Sequence, residues 1–201
     1  MNPVYTKSFF LKSANLISQL PPDVSIEVAF VGRSNSGKSS AINAITNQSS
    51  LARTSKTPGR TQLINLFQID PRDESRFIVD LPGYGYAKVP KKIKKHWENE
   101  LANYLTMRQS LRGVFIMMDI RHKPSEYDLQ MLHWCNSRGL EAHILLTKCD
   151  KLKRGPGMNA LQKMRSELQK EFEHFSIQLF SSTKKIGIDE AHAKLDEWYQ
   201  F

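Results

Sequence analysis

The residues with the clearest chemical meaning form a glycine-containing loop between an apolar segment and a helix-compatible segment. SIEVAFV, residues 25–31, runs directly into Gly32-Arg33-Ser34-Asn35-Ser36-Gly37-Lys38-Ser39. The two glycines allow successive backbone N–H groups to turn inward around an anion, and the following helix N-terminus adds its partial positive charge. We expect Lys38 to reach the β- and γ-phosphates of a nucleotide and Ser39 to ligate Mg²⁺. The alternative is a Gly/Ser-rich turn that matches by chance.

A second candidate site lies at the end of the strand-like segment RFIVDL, which finishes in Asp80-Leu81-Pro82-Gly83. An Asp at the carboxyl end of a strand can hold the coordination shell of Mg²⁺. The Gly83 N–H can approach a γ-phosphate without obstruction by a side chain. An ordinary strand-to-turn exit is the alternative.

The loop TSKTPGRTQ, residues 54–62, lies where nucleotide hydrolases carry a Thr that completes the coordination of Mg²⁺. We assign this role to Thr61 because it begins the next expected strand, whereas Thr57 precedes Pro58 and lies deeper in the loop. The alternative is a polar loop residue with a structural use only.

A third motif, Thr147-Lys148-Cys149-Asp150, follows the apolar segment AHILL. The Asp150 carboxylate can accept hydrogen bonds from guanine N1–H and from the 2-amino group, which adenine lacks, and the Lys148 stem can pack over the base. A buried carboxylate facing adenine would lose its solvation without gaining donors, so the motif predicts guanine selectivity. After the last strand, backbone N–H groups of Ser181-Ser182-Thr183-Lys184 can donate to guanine O6. Both segments also have a purely structural interpretation.

Short apolar runs alternate with helix-like stretches, which predicts an α/β fold with a mostly parallel six-stranded sheet and helices on both faces. The expected strands lie near residues 25–31, 62–69, 76–81, 113–119, 142–147 and 176–180. The expected helices lie near residues 38–46, 91–108, 125–138, 157–174 and 189–200. Residues 70–75 are too few for a crossover helix, so we expect a hairpin and one antiparallel edge strand. We place an N-terminal segment, 1–22, packed on a single domain, 23–201.

Composition narrows the class of protein. The chain has 201 residues with 29 Lys and Arg against 20 Asp and Glu, a net charge of +9 that favours a polyanionic partner. The two cysteines form no CxxC motif, which argues against a zinc site or a disulfide framework. The sequence contains no long apolar run or signal-peptide core, so we expect a cytoplasmic protein without a membrane association.

Together, the stretches GRSNSGKSS, KTPGRTQ, DLPGYGYAKV, TKCD and FSSTKK resemble the EngB family of bacterial ribosome-biogenesis GTPases, within the Ras-like P-loop GTPases. The resemblance implies a three-layer P-loop GTPase fold, GTP and GDP binding, Mg²⁺, and a role in assembly of the large ribosomal subunit, with a secondary link to division septum formation. It implies Mg²⁺ contacts by Ser39 and Thr61. The nucleotide contacts that it implies are Gly32, Arg33, Ser34, Asn35, Ser36, Gly37, Lys38, Ser39, Gly59, Arg60, Thr61, Gln62, Leu63, Asp80, Leu81, Pro82, Gly83, Thr147, Lys148, Cys149, Asp150, Phe180, Ser181 and Ser182.

Catalysis is expected to depend on Lys38, Thr61 and Gly83, and to be slow. The Ras-like position of a water-orienting Gln holds Tyr84, which is neither Gln nor His. Related GTPases use an Asn at the position of Asn35 to hold K⁺ against the phosphates; the alternative is that Asn35 only shapes the loop. Cys149 departs from the family, where a smaller residue is commoner, and we expect its side chain to point away from the base.

Two stretches without acidic residues, 28–69 and 81–97, flank the expected nucleotide-responsive loops. The second contains the basic run KVPKKIKK, residues 88–95, with five lysines. This pattern favours binding of ribosomal RNA or a large-subunit precursor through phosphates, with Tyr84, Tyr86 and Trp97 able to stack on bases, although core packing suits Trp97 better. A solvated face is the alternative. We expect a monomeric GTP-dependent switch; the rivals are a nucleotide-dependent RNA- or protein-binding module with incidental hydrolysis and an ATP-using P-loop kinase.

Overall fold

The computed structural model describes residues 2–53, 63–84 and 91–201, with the backbone alone for residues 91–98. One seven-stranded sheet runs in the order β1-β3-β4-β2-β5-β6-β7. The strands are β1 Phe9–Ala14, β2 Ile26–Gly32, β3 Ile64–Asp70, β4 Asp73–Asp80, β5 Leu111–Asp119, β6 Glu141–Thr147 and β7 Phe175–Leu179. The α-helices are α1 Lys38–Ile45, α2 Lys91–Met107, α3 Glu126–Ser137, α4 Arg154–Leu168 and α5 Ile188–Tyr199.

The sheet is parallel from β4 to β7. β2 pairs in parallel with β4 and β5, and the pairs β5–β6 and β6–β7 are also parallel. β3 runs antiparallel to both of its neighbours, β1 and β4. The predicted hairpin is therefore confirmed, because residues 71–72 alone connect β3 to β4.

Two apolar clusters cover the two faces of the sheet. Alternate residues of β2 divide between them: Ala29 and Val31 pack with residues of α2, α3 and α4. Val28 and Phe30 pack with residues of α1 and α5. Because successive side chains of a strand point to opposite faces, this division requires helices on both sides. The predicted three-layer α/β fold is confirmed.

Strand β1 was not predicted; it makes the sheet seven-stranded and displaces the antiparallel strand β3 from the sheet edge. Residues 10–13 of β1 are exposed and only Ala14 is buried, so the strand has no alternation of apolar and polar residues. A register shift between Phe10 and Lys12 interrupts its pairing further. The N-terminal segment thus contributes a strand to the sheet, and the domain boundary that we place at residue 22 stays a prediction.

Helix α4 begins three residues before the predicted start and ends six residues before the predicted end. Its start includes Pro156, which the first turn of a helix tolerates because that N–H has no partner within the helix. Beyond its end, Phe172 is buried in the core although it lies outside the helix. That buried residue continues the helical apolar period and explains the overestimate. No helix in the described part of the chain is long and apolar enough to span a membrane.

Candidate nucleotide-binding site

Four sequence motifs meet at the carboxyl edge of the parallel strands. The phosphate loop (residues 32–39) follows β2, residues 80–83 follow β4, residues 147–150 follow β6, and residues 180–184 follow β7. Ligands of open α/β sheets bind at this edge. A cleft of about 1150 Å³ opens there, and residues of the phosphate loop, residues 80–83, Leu63 and Lys148 line it.

The backbone of the phosphate loop requires glycine at its two predicted positions. Gly37 has φ +95°, a left-handed conformation that L side chains rarely adopt. A Cβ atom on Gly32 would lie 2.5 Å from Ser36 Oγ and 2.9 Å from the Met117 carbonyl oxygen. The buried Ser36 hydroxyl has no hydrogen-bond partner among the described residues. Helix α1 starts at Lys38, so its first amides point toward the cleft.

Lys38 and Asp80 form an ion pair within the cleft. Their side chains are only 12% and 10% exposed, so both charges are sheltered from water. No group of three or more His, Cys, Asp or Glu side chains in the described residues is arranged to hold a metal ion. The hydroxyl of Ser39 and the carboxylate of Asp80 are hard oxygen donors, which suit an ion such as Mg²⁺ that also takes phosphate and water ligands.

Gly83 lies against the phosphate loop because hydrogen bonds hold the next residue there. Tyr84 N–H donates to the Gly32 carbonyl at 3.2 Å, and Ser34 N–H donates to the Tyr84 carbonyl at 2.9 Å. A Cβ atom on Gly83 would approach the Gly32 carbonyl oxygen to 3.4 Å. The Tyr84 side chain is 1% exposed, so our expectation that it stacks on RNA bases is wrong.

The segment 147–150 is tied to the phosphate loop by two side chains. The Thr147 hydroxyl donates to the Ser36 carbonyl at 2.6 Å. Lys148 Nζ donates to the Asn35 carbonyl at 2.8 Å and lies 2.9 Å from a carboxylate oxygen of Asp119. These bonds fix the segment that we expect to contact the base relative to the loop that we expect to hold the phosphates.

Asp150 faces the loop after β7. The Ser181 hydroxyl donates to Asp150 Oδ1 at 2.6 Å, and this bond is the main reason that the pKa of Asp150 is lowered. The carboxylate, already ionised at neutral pH, stays an ionised acceptor at lower pH than an ordinary Asp. Ser181 N–H donates to the Ile186 carbonyl at 3.0 Å, and Lys184 N–H donates to Ser181 Oγ at 3.1 Å. No hydrogen bond between described residues uses the backbone N–H groups of Ser182 and Thr183, so these two can donate to guanine O6.

Three of the expected contact residues support the site from the core. Leu81, Cys149 and Phe180 are all buried. Cys149 N–H donates to the Phe180 carbonyl at 3.2 Å, and Phe180 N–H donates to the Leu146 carbonyl at 2.9 Å. The Cys149 side chain belongs to the apolar cluster beneath the loop, and burial raises the pKa of its thiol.

Some predicted residues lie outside the described part of the chain. They are Gly59, Arg60, Thr61 and Gln62, together with Tyr86 and the first three residues of the basic run. The side chains of the rest of that run and of Trp97 also lie outside the described part. Their roles stay predictions.

Comparison with known proteins identifies the family of the chain. Residues 27–148 match the family described as "50S ribosome-binding GTPase". A probable GTP-binding protein EngB of Nitrosococcus oceani is 57% identical over 198 residues, which cover 98% of each chain. The chain belongs to the EngB family of GTP-binding proteins. The EngB relative from Hydrogenovibrio crunogenus is 54% identical over 200 residues, 100% of this chain and 93% of the relative. The predicted GTPase activity and GTP binding are thereby confirmed.

Solved structures show the same fold at low sequence identity. A crystal structure of a probable GTP-binding protein EngB superposes with a TM-score of 0.65 at 21% identity, covering 87% of this chain and 98% of that chain. The structure of a single-residue variant of Aquifex aeolicus Era bound to GDP·AlF4⁻ gives a TM-score of 0.69 at 18% identity, covering 86% of this chain and 56% of that chain. Both support the GTPase fold of this EngB family member.

Two acidic residues at the site escaped the sequence analysis. Asp119, at the carboxyl end of β5, binds Lys148 and also the Arg121 guanidinium, whose hydrogen bonds hold the pKa of Asp119 well below its ordinary range. Its place at the end of an expected strand was the available signal. Asp128 accepts a 2.6 Å hydrogen bond from the Tyr84 hydroxyl, and no spacing along the chain indicates that contact.

Proposed function

We propose that this GTPase is a nucleotide-controlled switch that binds an assembling large ribosomal particle in its GTP form and leaves after hydrolysis. The observation that carries the proposal is the pair of backbone hydrogen bonds between Tyr84 and the phosphate loop. They hold Gly83, for which we propose a γ-phosphate contact, beside that loop, and the basic run begins four residues after Tyr84. The proposed γ-phosphate contact and the basic run are therefore neighbours in the sequence.

In this proposal the phosphates of GTP lie on the amides of the phosphate loop, and Lys38 exchanges its partner Asp80 for the β- and γ-phosphates. Ser39 and Thr61 would hold Mg²⁺ directly, and Asp80 would hold its water shell. Bound Mg²⁺ neutralises charge that develops on the phosphate oxygens. Gly83 N–H would donate to the γ-phosphate.

The position of the Tyr84 side chain supports slow intrinsic hydrolysis. A water-orienting side chain would have to face the γ-phosphate from this position. The Tyr84 ring is instead buried, and its hydroxyl binds Asp128 at the start of α3. The attacking water therefore lacks a Gln-like partner from this residue, and a ribosomal partner can accelerate the reaction by supplying one.

The ribosomal partner is proposed from charge and from the family description. The matching family is one described as ribosome-binding, and the chain carries a net charge of +9. Cationic side chains that neutralise RNA phosphates release counterions, which drives association with polyanions. Both features support a role in assembly of the large ribosomal subunit. We further propose that the protein acts as a monomer in the cytoplasm.

Single-turnover hydrolysis with and without purified large-subunit particles tests the proposal. A switch predicts that the particles accelerate hydrolysis, or that hydrolysis releases the protein from them. A binding module with incidental hydrolysis predicts neither effect. Competition by ATP serves as the internal control, because an ATP-using kinase would lose bound guanine nucleotide to ATP.

A further inference from the structure

Tyr84 is held at three points by two different elements. Its backbone N–H and carbonyl bond to Gly32 and Ser34 of the phosphate loop, at 3.2 and 2.9 Å. Its hydroxyl donates a 2.6 Å hydrogen bond to Oδ1 of Asp128 in the first turn of α3. The side chain is 1% exposed, so water does not compete for the hydroxyl.

Asp128 is itself fixed. Its second oxygen, Oδ2, accepts hydrogen bonds from the backbone N–H and the hydroxyl of Ser125, both at 2.7 Å. The Ser125 hydroxyl oxygen also accepts the Asp128 N–H, which completes a capping box at the start of α3. Asp128 is 3% exposed, so its carboxylate offers Tyr84 one oxygen in a defined position.

We propose that Tyr84 is a positioning residue for the γ-phosphate contact: its hydroxyl bond to Asp128 anchors the Gly83 amide to helix α3 as well as to the phosphate loop. The proposal rests on the proposed role of Gly83 in binding the γ-phosphate. Two backbone bonds place the segment along the phosphate loop, and the side-chain bond adds an anchor on a separate element. Through this hydrogen bond, helix α3 contributes to the preference of the site for GTP over GDP.

The Tyr84→Phe substitution removes the hydroxyl and keeps the buried ring. We expect the affinity for a non-hydrolysable GTP analogue to fall by about tenfold, since a hydrogen bond to a buried charged acceptor is lost, while GDP affinity changes less than about twofold. Single-turnover hydrolysis should slow in parallel. Asp128→Asn should act in the same direction but more weakly. Its amide oxygen can accept from the Ser125 donors, and its NH2 group can then offer Tyr84 only a neutral hydrogen bond in place of the charged one.

A matched control is available in Tyr104, whose buried hydroxyl donates to Glu27 Oε2 at 2.7 Å. Glu27 lies at the opposite end of β2 from the phosphate loop, about 17 Å along the strand. Tyr104→Phe should lower the melting temperature and leave the ratio of GTP-analogue to GDP affinity unchanged. A purely structural role of Tyr84 predicts that both substitutions behave alike.

Isothermal titration calorimetry of the full chain and its variants, with GDP and with the GTP analogue, tests the positioning role. Gly83→Ala is measured in the same way. If Gly83→Ala changes the affinity ratio but neither Tyr84→Phe nor Asp128→Asn does, the positioning role is overturned and the role of Gly83 survives. Gly83→Ala keeps the backbone N–H but adds a Cβ atom against the phosphate loop, 3.4 Å from the Gly32 carbonyl oxygen. If it leaves the ratio unchanged, residue 83 does not approach the γ-phosphate closely and the γ-phosphate assignment fails. Should Tyr84→Phe fail to fold, Asp128→Asn gives the decision.

Discussion

Ser181 donates a 2.6 Å hydrogen bond to Oδ1 of Asp150 and so joins two loops that are 31 residues apart in the chain. The bond directs one carboxylate oxygen to Ser181 and leaves the other, Oδ2, near Lys151 at 3.5 Å. The carboxylate that we expect to recognise guanine is therefore oriented by the loop that we expect to bind O6. Base recognition should depend on both loops together.

Ser181→Ala should weaken the binding of GDP and GTP to a similar extent, by about tenfold, because Asp150 loses the donor that orients it. Fluorescent nucleotide titration measures the effect. Ser182→Ala is the matched control: it removes a hydroxyl one residue along and keeps the Ser182 N–H. If the two variants bound guanine nucleotides equally well, the Ser181 bond would have no role in recognition.

Asp150→Asn should shift selectivity from guanine toward xanthine nucleotides. An amide can donate to the 2-carbonyl of xanthine, whereas a carboxylate can only accept. Competition of GTP against XTP for the variant and the unsubstituted chain measures the shift. An unchanged preference for GTP would remove Asp150 from the base site.

Asn35 has φ +65°, a left-handed conformation that Asn tolerates better than most residues. This geometry supports the interpretation that Asn35 shapes the phosphate loop, and K⁺ coordination by its side chain stays the competing prediction. Asn35→Gly should keep GTP affinity within about threefold, because glycine adopts the same conformation. Hydrolysis in KCl and in NaCl separates the two roles: K⁺ stimulation that disappears in Asn35→Gly would favour the ion.

His143 should make the protein less stable in mild acid. Its Nδ1 lies 2.7 Å from Ser176 Oγ and its Nε2 lies 2.7 Å from Gln178 Oε1, so the neutral ring satisfies both partners. Burial lowers the pKa of His143 to about 4. The unfolded chain therefore takes up a proton first as the pH falls below about 6.5, and stability should drop by about 2 kcal/mol between pH 7 and pH 5.

Urea unfolding at the two pH values tests this expectation. His143→Gln should lose about 2 kcal/mol of the pH-dependent change, whatever its stability at pH 7. His122→Gln, at an exposed position, is the control and should retain it. An equal pH dependence in all three proteins would show that the pKa of His143 does not differ between the folded and unfolded chains.

The parts of the fold that follow from local pattern were predictable. Buried parallel strands such as β5 and β6 are continuous apolar runs, and the short connection at residues 70–75 left only a hairpin. β1 was not predictable, because its exposed residues show no hydrophobic periodicity and its paired residues in β3 lie at least fifty positions further along the chain. Edge strands of this kind are specified by their neighbours and not by their own sequence.

The candidate site likewise has features that could be predicted from the sequence and others that could not. Motifs with fixed spacing, such as residues 32–39 and 147–150, predicted which loops meet. The side chains that orient them did not follow from spacing: Asp119 and Asp128 reach Lys148 and Tyr84 only through the packing of the sheet and α3. The burial of Tyr84 depends on the same packing, which is why the expectation of base stacking was wrong.

The lysines of the basic run should contribute to binding of ribosomal particles and not to binding of nucleotide. Replacing Lys91, Lys92, Lys94 and Lys95 by Ala should leave nucleotide affinity nearly intact and weaken binding to ribosomal particles. Each lost phosphate contact should reduce the log–log slope of affinity against salt by about 0.7 to 0.9. Binding measured from low to high salt gives the slope. An unchanged slope and affinity would show that the basic run is only a solvated helix face and does not contact RNA.

Co-sedimentation with purified large ribosomal subunits, in GDP and in a non-hydrolysable GTP analogue, tests the switch most directly. The account predicts that the protein pellets with the particles in the analogue and stays in the supernatant in GDP. Lys38→Ala, which cannot hold the phosphates in the same way, should stay in the supernatant in both. Equal pelleting of the unsubstituted protein in the two nucleotides, or none in either, would contradict the proposed function.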